Sequence, residues 1–184
     1  MRAALLTVIT LVSLAAACSP TGMSSGDPAA MRSRGAAASA TVRDATGRTL
    51  GTLSVMEMNG GLHTTGMLGG LPAGTHGIHL HAVGRCEPPF TTAGAHWNPT
   101  SRMHGFENPQ GAHLGDMPNV IVGTDGTVRV DLMTRGGSLR GADAAMDGDG
   151  LSVVVHAAAD DYRTDPSGNS GDRIACGEVR AATP

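Results

Sequence analysis

Residues 50–68 read LGTLSVMEMNGGLHTTGML, and this stretch decides the fold. Two partly alternating apolar runs, 50–56 and 62–68, flank the triplet Asn59-Gly60-Gly61. Asn-Gly and Gly-Gly pairs favour tight hairpin turns, because their backbones adopt positive φ at little cost. The stretch therefore predicts two antiparallel β-strands joined by a short turn.

The same rhythm recurs along the chain, with short β-branched or alternating apolar runs closed by Gly, Asp or Asn. The other runs are residues 39–43, 76–83, 120–122, 127–133, 151–156 and 174–179. A second hairpin-type turn, Thr124-Asp125-Gly126-Thr127, lies between two of them. No stretch has a convincing helical period. The chain is therefore predicted to be all-β, an eight-stranded antiparallel Greek-key sandwich or barrel.

Two long segments interrupt this rhythm, residues 86–118 and 157–172, both polar and rich in Gly and Pro. Loops longer than about 12–15 residues in a compact domain are usually functional or disordered. The first contains three histidines and three of the four aromatic residues, namely His96, His104, His113, Phe90, Trp97 and Phe106. A bound metal can order such a loop, so we expect both segments to be functional loops.

Composition narrows the functional classes. The 184 residues suit one domain with a tail, and their 40% hydrophobic content excludes a disordered polymer. The net charge is −3 and the chain has no lysine, so no basic excess is available to follow nucleic-acid phosphates. We therefore expect no nucleic-acid partner.

The N-terminus has the pattern of an export signal. Met1 and Arg2 precede the apolar run 3–17, which is shorter than the roughly 20 residues of a membrane-spanning helix. Leu14-Ala15-Ala16-Ala17-Cys18-Ser19 resembles a bacterial lipobox, although Ala15 stands where leucine is usual. The sequence thus predicts a signal peptide over 1–17, lipidation of Cys18 and a periplasmic or cell-envelope location. The alternative is simple cleavage that leaves Cys18 as a free thiol.

Residues 18–36 form the predicted tether, since Ser, Pro, Gly and Ala alternate there without a period, and the folded domain is expected over 37–184. Setting Cys18 aside leaves Cys86 and Cys176, one pair in an oxidising compartment. A disulfide is the economical interpretation, and whether the two Cα atoms approach closely enough is left to the structure.

Histidines at structured spacings suggest metal binding. His79 and His81 lie two apart in a predicted strand, which puts both rings on one face, about 6–7 Å apart. The further candidates are His96, His104, His113, Asp116 and His156. Imidazoles suit copper, zinc, iron and nickel, and histidines with one carboxylate are typical of tetrahedral zinc. Seven ligands exceed one tetrahedral site by three, which indicates two metals or a shared ligand.

Several motifs together resemble copper/zinc superoxide dismutase in its bacterial exported form. They are residues 77–86 (GIHLHAVGRC), 94–99 (GAHWNP), 104–105 (HG), 113–119 (HLGDMPN), 153–156 (VVVH) and 168–177 (GNSGDRIACG). They occur in family order, and the resemblance covers about residues 38–180, nearly the whole predicted domain. A set of this kind is far more specific than any one of its members.

The resemblance implies a function and the residues that perform it. Superoxide would be converted to O₂ and hydrogen peroxide by a Cu(II)/Cu(I) cycle, with Arg173 orienting the anion and His96 bridging copper and zinc. The implied copper ligands are His79, His81, His96 and His156. The implied zinc ligands are His96, His104, His113 and Asp116. Asp160 would link a zinc histidine to a copper histidine, and Cys86–Cys176 would be the intrachain disulfide.

Some points depart from the family or stay open. The loop before Arg173 has no lysine, so steering of superoxide is expected to depend on Arg173, with help from Arg163. His63 and His76 match no ligand position and are interpreted as ordinary polar residues. An exported copper-binding or copper-buffering protein on the same fold is the main alternative, and a purely structural, disulfide-stapled domain is a weaker one. The sequence does not decide between monomer and homodimer.

Overall fold

The structure, a computed structural model, describes residues 37–141 and 144–181. The predicted signal peptide, Cys18 and the tether lie outside these residues. Within this described part, no helix has the length and apolar character needed to cross a membrane. Strands are the main regular secondary structure of the described residues, as the sequence predicts.

The described residues contain nine strands and one short 3-10 helix, connected by turns and loops. In chain order they are β1 (Ala37–Asp44), β2 (Thr49–Met58), β3 (Gly61–Gly69), β4 (Gly74–His76), β5 (Ile78–His81), the 3-10 helix (Thr91–Ala93), β6 (Val120–Val122), β7 (Thr127–Met133), β8 (Leu151–His156) and β9 (Arg173–Ala181). Seven strands form one antiparallel sheet in the order β5-β8-β9-β1-β2-β3-β7, and β4 pairs with β6. The connections from β3 to β5 and from β7 to β8 cross from one end of this order to the other, which is the Greek-key pattern.

Alternation along the strands separates the core from solvent. Strand β1 alternates regularly between exposed and buried positions, and β8 is buried along its whole length. The core is mainly aliphatic, with Leu53, Leu62 and Leu80 fully buried. The 50–68 stretch folds as predicted, because β2 and β3 pair antiparallel across Asn59 and Gly60. Its period-2 pattern is satisfied by burying one face of the hairpin.

One predicted strand is divided in two. Residues 76–83 are expected as a single strand, but the chain leaves β4 at His76 and begins β5 at Ile78. Gly77 makes the change of partner, since its N–H donates to Ala158 O and its carbonyl accepts from His156 N. A Cβ at Gly77 would lie 3.1 Å from the Ser170 side chain and 3.2 Å from the His79 ring, so a larger residue would crowd both.

The two long loops fold back onto the strands that carry histidines. Isolated bridges pair His79 with Asp116 and His81 with His96, so the first loop lies alongside β5. The register of β8 shifts between Val155 and His156, at the end of that strand. These contacts bring side chains distant in sequence to one end of the sheet.

Candidate metal centre

Four buried histidines converge on one point, namely His79, His81, His96 and His156. Their ligand atoms all lie within 4.8 Å of one another. In each ring one nitrogen is buried and has no hydrogen-bond partner among the described residues, and these atoms are His79 Nδ1, His81 Nε2, His96 Nε2 and His156 Nε2. Buried polar atoms are rarely left without partners, so this arrangement indicates a ligand for all four.

The other nitrogen of each ring is held by the protein, which fixes how the ring is turned. The Nδ1 atoms of His81 and His156 lie 3.0 Å from Gly94 O and 3.3 Å from Gly171 O. A carbonyl oxygen only accepts, so these nitrogens carry the hydrogen and the Nε2 lone pairs face the cluster. The rings of His79 and His81 have centroids 6.4 Å apart, close to the spacing expected from the strand pattern.

A second buried cluster contains His96, His104, His113 and Asp116. The Nδ1 atoms of its three histidines lie 2.8, 3.1 and 3.2 Å from Asp116 Oδ1. Edges of about 3.3 Å are expected between ligand atoms of a tetrahedral zinc ion with bonds near 2.0 Å. Asp116 Oδ2 accepts from the backbone N–H groups of Gly105 and His113, which holds the carboxylate in this orientation.

His96 belongs to both clusters. Its Nδ1 lies beside Asp116 Oδ1, while its Nε2 is one of the four unpartnered nitrogens of the first cluster. One imidazole therefore offers a nitrogen to each of two adjacent sites. The shared ligand that the count of seven residues required is present in this geometry.

Asp160 connects the two clusters from behind. Its Oδ2 lies 2.8 Å from His79 Nε2, and its Oδ1 lies 3.0 Å from His104 Nε2. Asn119 holds the backbone of Asp160 through two hydrogen bonds, one to its N–H and one to its carbonyl. The neighbouring Asp161 is exposed and instead bonds Thr164 within its own loop. Spacing favours Asp160 over Asp161, and the structure places Asp160 between the histidines.

Burial and hydrogen bonding shift the pKa values of the first cluster and of His104 in opposite directions. Burial lowers the pKa of His79 to about 3 and that of His156 to about 4, and lowers the pKa values of His81 and His96 as well. Burial alone would lower the pKa of His104 too, but hydrogen bonds to Asp116 and Asp160 raise it to about 9. Rings of the first cluster are therefore neutral at pH 7, with lone pairs available for a metal.

Arg173 stands at the entrance to the first cluster. Its two terminal nitrogens donate to Phe90 O and Gly94 O, both at 2.7 Å. A cavity of about 370 Å³ is lined by Arg173, His96 and His156 together with small loop residues. A fixed guanidinium beside the histidines suits a small anion. Arg163, the other cation expected to help, is exposed and pairs with Glu107.

A disulfide joins β9, which begins at Arg173, to the loop whose carbonyl oxygens accept hydrogen bonds from Arg173. Cys86 and Cys176 are bonded, with their Cα atoms 5.6 Å apart and a sequence separation of 90. Phe90 and Ala93 pack against Cys176 in a small core of their own. The bond and this core anchor the loop whose carbonyls hold Arg173.

Two contributors escape sequence reasoning. His76 is buried, with its ring nitrogens 2.8 Å from His156 O and 2.9 Å from Pro72 O, so it braces the backbone of a candidate ligand. The Gly94 carbonyl oxygen accepts hydrogen bonds from both His81 and Arg173. A spacing of three residues from His79 could have drawn attention to His76, whereas a backbone carbonyl leaves no signal in residue type.

The donor sets fit copper and zinc. Four neutral imidazoles with unpartnered nitrogens are a preferred environment for copper, and three imidazoles with one carboxylate are a closed zinc site. Asp160 supplies the carboxylate contact that commonly orients metal-bound histidines. Both sets are formed by this chain alone.

Comparisons with known proteins agree with this chemistry. The family model for copper/zinc superoxide dismutase (SODC) matches residues 49–179. Cu-Zn superoxide dismutase 2 of Aquifex aeolicus is 38% identical over 138 residues, 73% of this chain and 81% of the relative. The Cu-Zn superoxide dismutase of Caulobacter vibrioides is 38% identical over 148 residues, 78% of this chain and 85% of the relative.

A solved structure is also similar. It is a double mutant of a SOD-like protein from Bacillus subtilis, with a TM-score of 0.74 and 38% identity over 78% of this chain and 97% of that one. This likeness in fold accompanies the family match over most of the domain. The chain therefore belongs to the copper/zinc superoxide dismutase family.

Proposed function

We propose that this protein is a superoxide dismutase that converts superoxide to O₂ and hydrogen peroxide at a copper and zinc centre. The observation that carries this proposal is the position of His96, which presents Nε2 to a cluster of three other histidines and Nδ1 to a cluster closed by Asp116. A protein that only stores copper has no need of a ligand shared between two sites.

Copper would be held by His79, His81, His96 and His156, and zinc by His96, His104, His113 and Asp116. When bound, copper supplies one-electron redox chemistry and zinc supplies a fixed divalent charge. The chain's own task is to keep each ring turned correctly, which Asp160, Gly94 O and Gly171 O do. His96 Nε2 is the atom at which this chain could hold a proton between the two clusters.

Substrate access would be governed by Arg173. Its guanidinium lines the same cavity as His96 and His156, and two carbonyl oxygens prevent it from swinging away. A superoxide anion that enters this cavity meets one fixed positive charge beside the copper cluster. The four histidines of the copper cluster are otherwise buried, so bulk water has little access to them.

Elemental analysis combined with a superoxide assay tests the proposal. The enzyme should contain one copper and one zinc per chain and lose its activity in His156→Ala, which removes one ligand of the first cluster. Metal content without activity in the unaltered protein would instead support the copper-buffering alternative. Absence of both metals would leave only a structural domain.

The proposal also covers where the protein is located and how it is attached there. Export through a signal peptide over 1–17, lipidation of Cys18 and a periplasmic or cell-envelope location are supported by the sequence pattern of the N-terminus. Mass spectrometry of the mature N-terminus and membrane fractionation, with Cys18→Ser as the control, test the anchor. A sizing measurement on the isolated protein tests whether it forms a homodimer.

A further inference from the structure

The outer face of the sheet carries a row of two methionines and one histidine on β2, β3 and β7, the strands at the end of the sheet order opposite β5. Met56 on β2 lies directly opposite His63 on β3, and His63 lies directly opposite Met133 on β7. Residues opposite one another in antiparallel strands share a face, with Cβ atoms about 4.5–5.5 Å apart. His63 is thus flanked by one methionine on each side.

The His63 ring is oriented by a carboxylate. Its Nε2 lies 2.8 Å from Asp131 Oδ1, and a carboxylate only accepts, so Nε2 carries the hydrogen. Nδ1 is buried and has no hydrogen-bond partner among the described residues, although the side chain as a whole is 22% exposed. With the hydrogen on Nε2, Nδ1 carries the lone pair of the ring, and Met56 and Met133 occupy the directly opposite positions on β2 and β7.

The face around the row is rich in exposed methionine. Met58, Met67 and Met133 are 40%, 55% and 37% exposed, on β2, β3 and β7. Thioether sulfur is a soft ligand that selects Cu(I), and imidazole also binds copper. A carboxylate on the far nitrogen of a histidine is the contact that commonly orients a metal-bound ring. The row therefore combines soft donors with an oriented imidazole.

We propose that Met56, His63 and Met133 form a binding site for a soft monovalent metal ion, Cu(I), on the outer face of the sheet. Two thioether sulfurs and His63 Nδ1 would be the three ligands, and Asp131 would orient the ring. None of these residues belongs to the clusters of the metal centre, and β7 lies at the opposite end of the strand order from β5. This interpretation replaces the sequence-based one of His63 as an ordinary polar residue.

Silver(I) is a suitable probe because it shares the ligand preference of Cu(I) and does not change oxidation state. It would be titrated into the copper- and zinc-loaded protein labelled with ¹³C at the methionine methyl groups. We expect the Met56 and Met133 methyl signals to shift together and to reach their end point at one equivalent. Signals of the core residue Met117 should stay in place, since that side chain is fully buried.

Variants distinguish this site from nonspecific binding to thioethers. Met133→Leu and His63→Gln should each weaken silver binding at least tenfold, as measured by competition with a soluble thioether chelator. Met67→Leu is the matched control, because Met67 is exposed on the same face but lies opposite Thr52 and Arg129, four residues from His63 along β3. Superoxide dismutase activity of the loaded variants reports that they are folded.

Two results would overturn the proposal. One is that Met67→Leu weakens binding as much as Met133→Leu. The other is that the Met56 and Met133 methyl signals do not move with silver; if they move with protein concentration instead, the methionine face is a contact between proteins.

Discussion

Arg173 and His81 are held by the same carbonyl oxygen, that of Gly94. Arg173 donates to it at 2.7 Å, and His81 Nδ1 lies 3.0 Å from it. Gly94 has φ of 74°, and a Cβ there would come within 2.9 Å of Val83 Cγ2. One peptide group therefore sets the position of the charge at the cavity entrance relative to a histidine of the copper cluster.

Removing the guanidinium should slow the reaction without removing metal. In Arg173→Ala we expect kcat/KM for superoxide to fall by about tenfold or more, because steering by a fixed charge is worth about 10–10³ in encounter rate. Copper content should be unchanged, since Gly94 O still accepts from His81. Pulse radiolysis at several ionic strengths, with metal analysis of the same samples, measures both quantities.

The conservative variant separates charge from position. Arg173→Lys keeps a cation but lacks the planar guanidinium whose two terminal nitrogens each donate to one carbonyl, so its rate should lie between those of the wild type and Arg173→Ala. The dependence on ionic strength should be nearly absent in Arg173→Ala, because the described cavity has no second cation in its lining. A steep salt dependence that survived in Arg173→Ala would contradict the assignment of steering to this residue.

Gly168 leaves room for Asp160, whose carboxylate contacts a histidine of each cluster. A Cβ at this position would overlap Asp160 Oδ1 and come within 2.8 Å of His104 Nε2. Gly168→Ala should therefore displace Asp160 and lower zinc affinity by about 10–100-fold, the range typical for loss of a carboxylate that orients a metal-bound histidine. Zinc retention against a chelator, followed at pH 7, measures this change.

Gly47→Ala is the control for backbone strain. Gly47 also has positive φ, 85°, but a Cβ there would meet nothing within 4 Å. Both variants carry the cost of an alanine at positive φ, so both should lose some thermal stability. Equal zinc retention in the two variants would show that the Asp160 link does not govern zinc binding.

Much of the site is readable from the sequence because ligands are side chains with a characteristic type and spacing. His79 and His81 follow from period 2 in one strand, and the resemblance to the family supplies the grouping of the rest. The bracing role of His76 and the shared Gly94 carbonyl are not readable, because they depend on which backbone oxygen lies near a ring. The split at Gly77 is not readable either, since a change of strand partner leaves the apolar pattern unbroken.

The metal-free protein should be most stable near pH 6.5 and lose stability at both lower and higher pH. The pKa of His104 is raised to about 9 in the fold, so its contribution is fully present below 6.5 and is lost as the pH rises through 9. The pKa values of His79 and His156 are lowered to about 3 and about 4, so the unfolded chain binds their protons first as the pH falls below 6.5. The free energy of unfolding should therefore fall from pH 6.5 to 4 and from 6.5 to 9.

Metal binding should remove the alkaline part of this dependence. Zinc requires His104 without a proton on its ligand nitrogen, so the loaded protein has no such proton to lose between pH 6.5 and 9. Thermal unfolding of the metal-free and loaded forms across pH 4–9.5 measures the difference. A melting temperature of the metal-free form that stays flat from pH 6.5 to 9 would be evidence against the raised pKa of His104.

The disulfide should contribute to both stability and catalysis. A bond that closes a loop of 90 residues is expected to contribute about 4–5 kcal/mol in the chain-entropy view. For a domain of this size, its loss in Cys86→Ser/Cys176→Ser should lower the melting temperature by about 10 °C or more.

The same variant should lose kcat/KM well below its melting temperature, because Phe90 O and Gly94 O would no longer be fixed around Arg173. Reducing agent should reproduce both effects in the wild type and have no effect on the variant. If the variant melts earlier but keeps the wild-type rate when folded, the disulfide stabilises the domain without positioning Arg173.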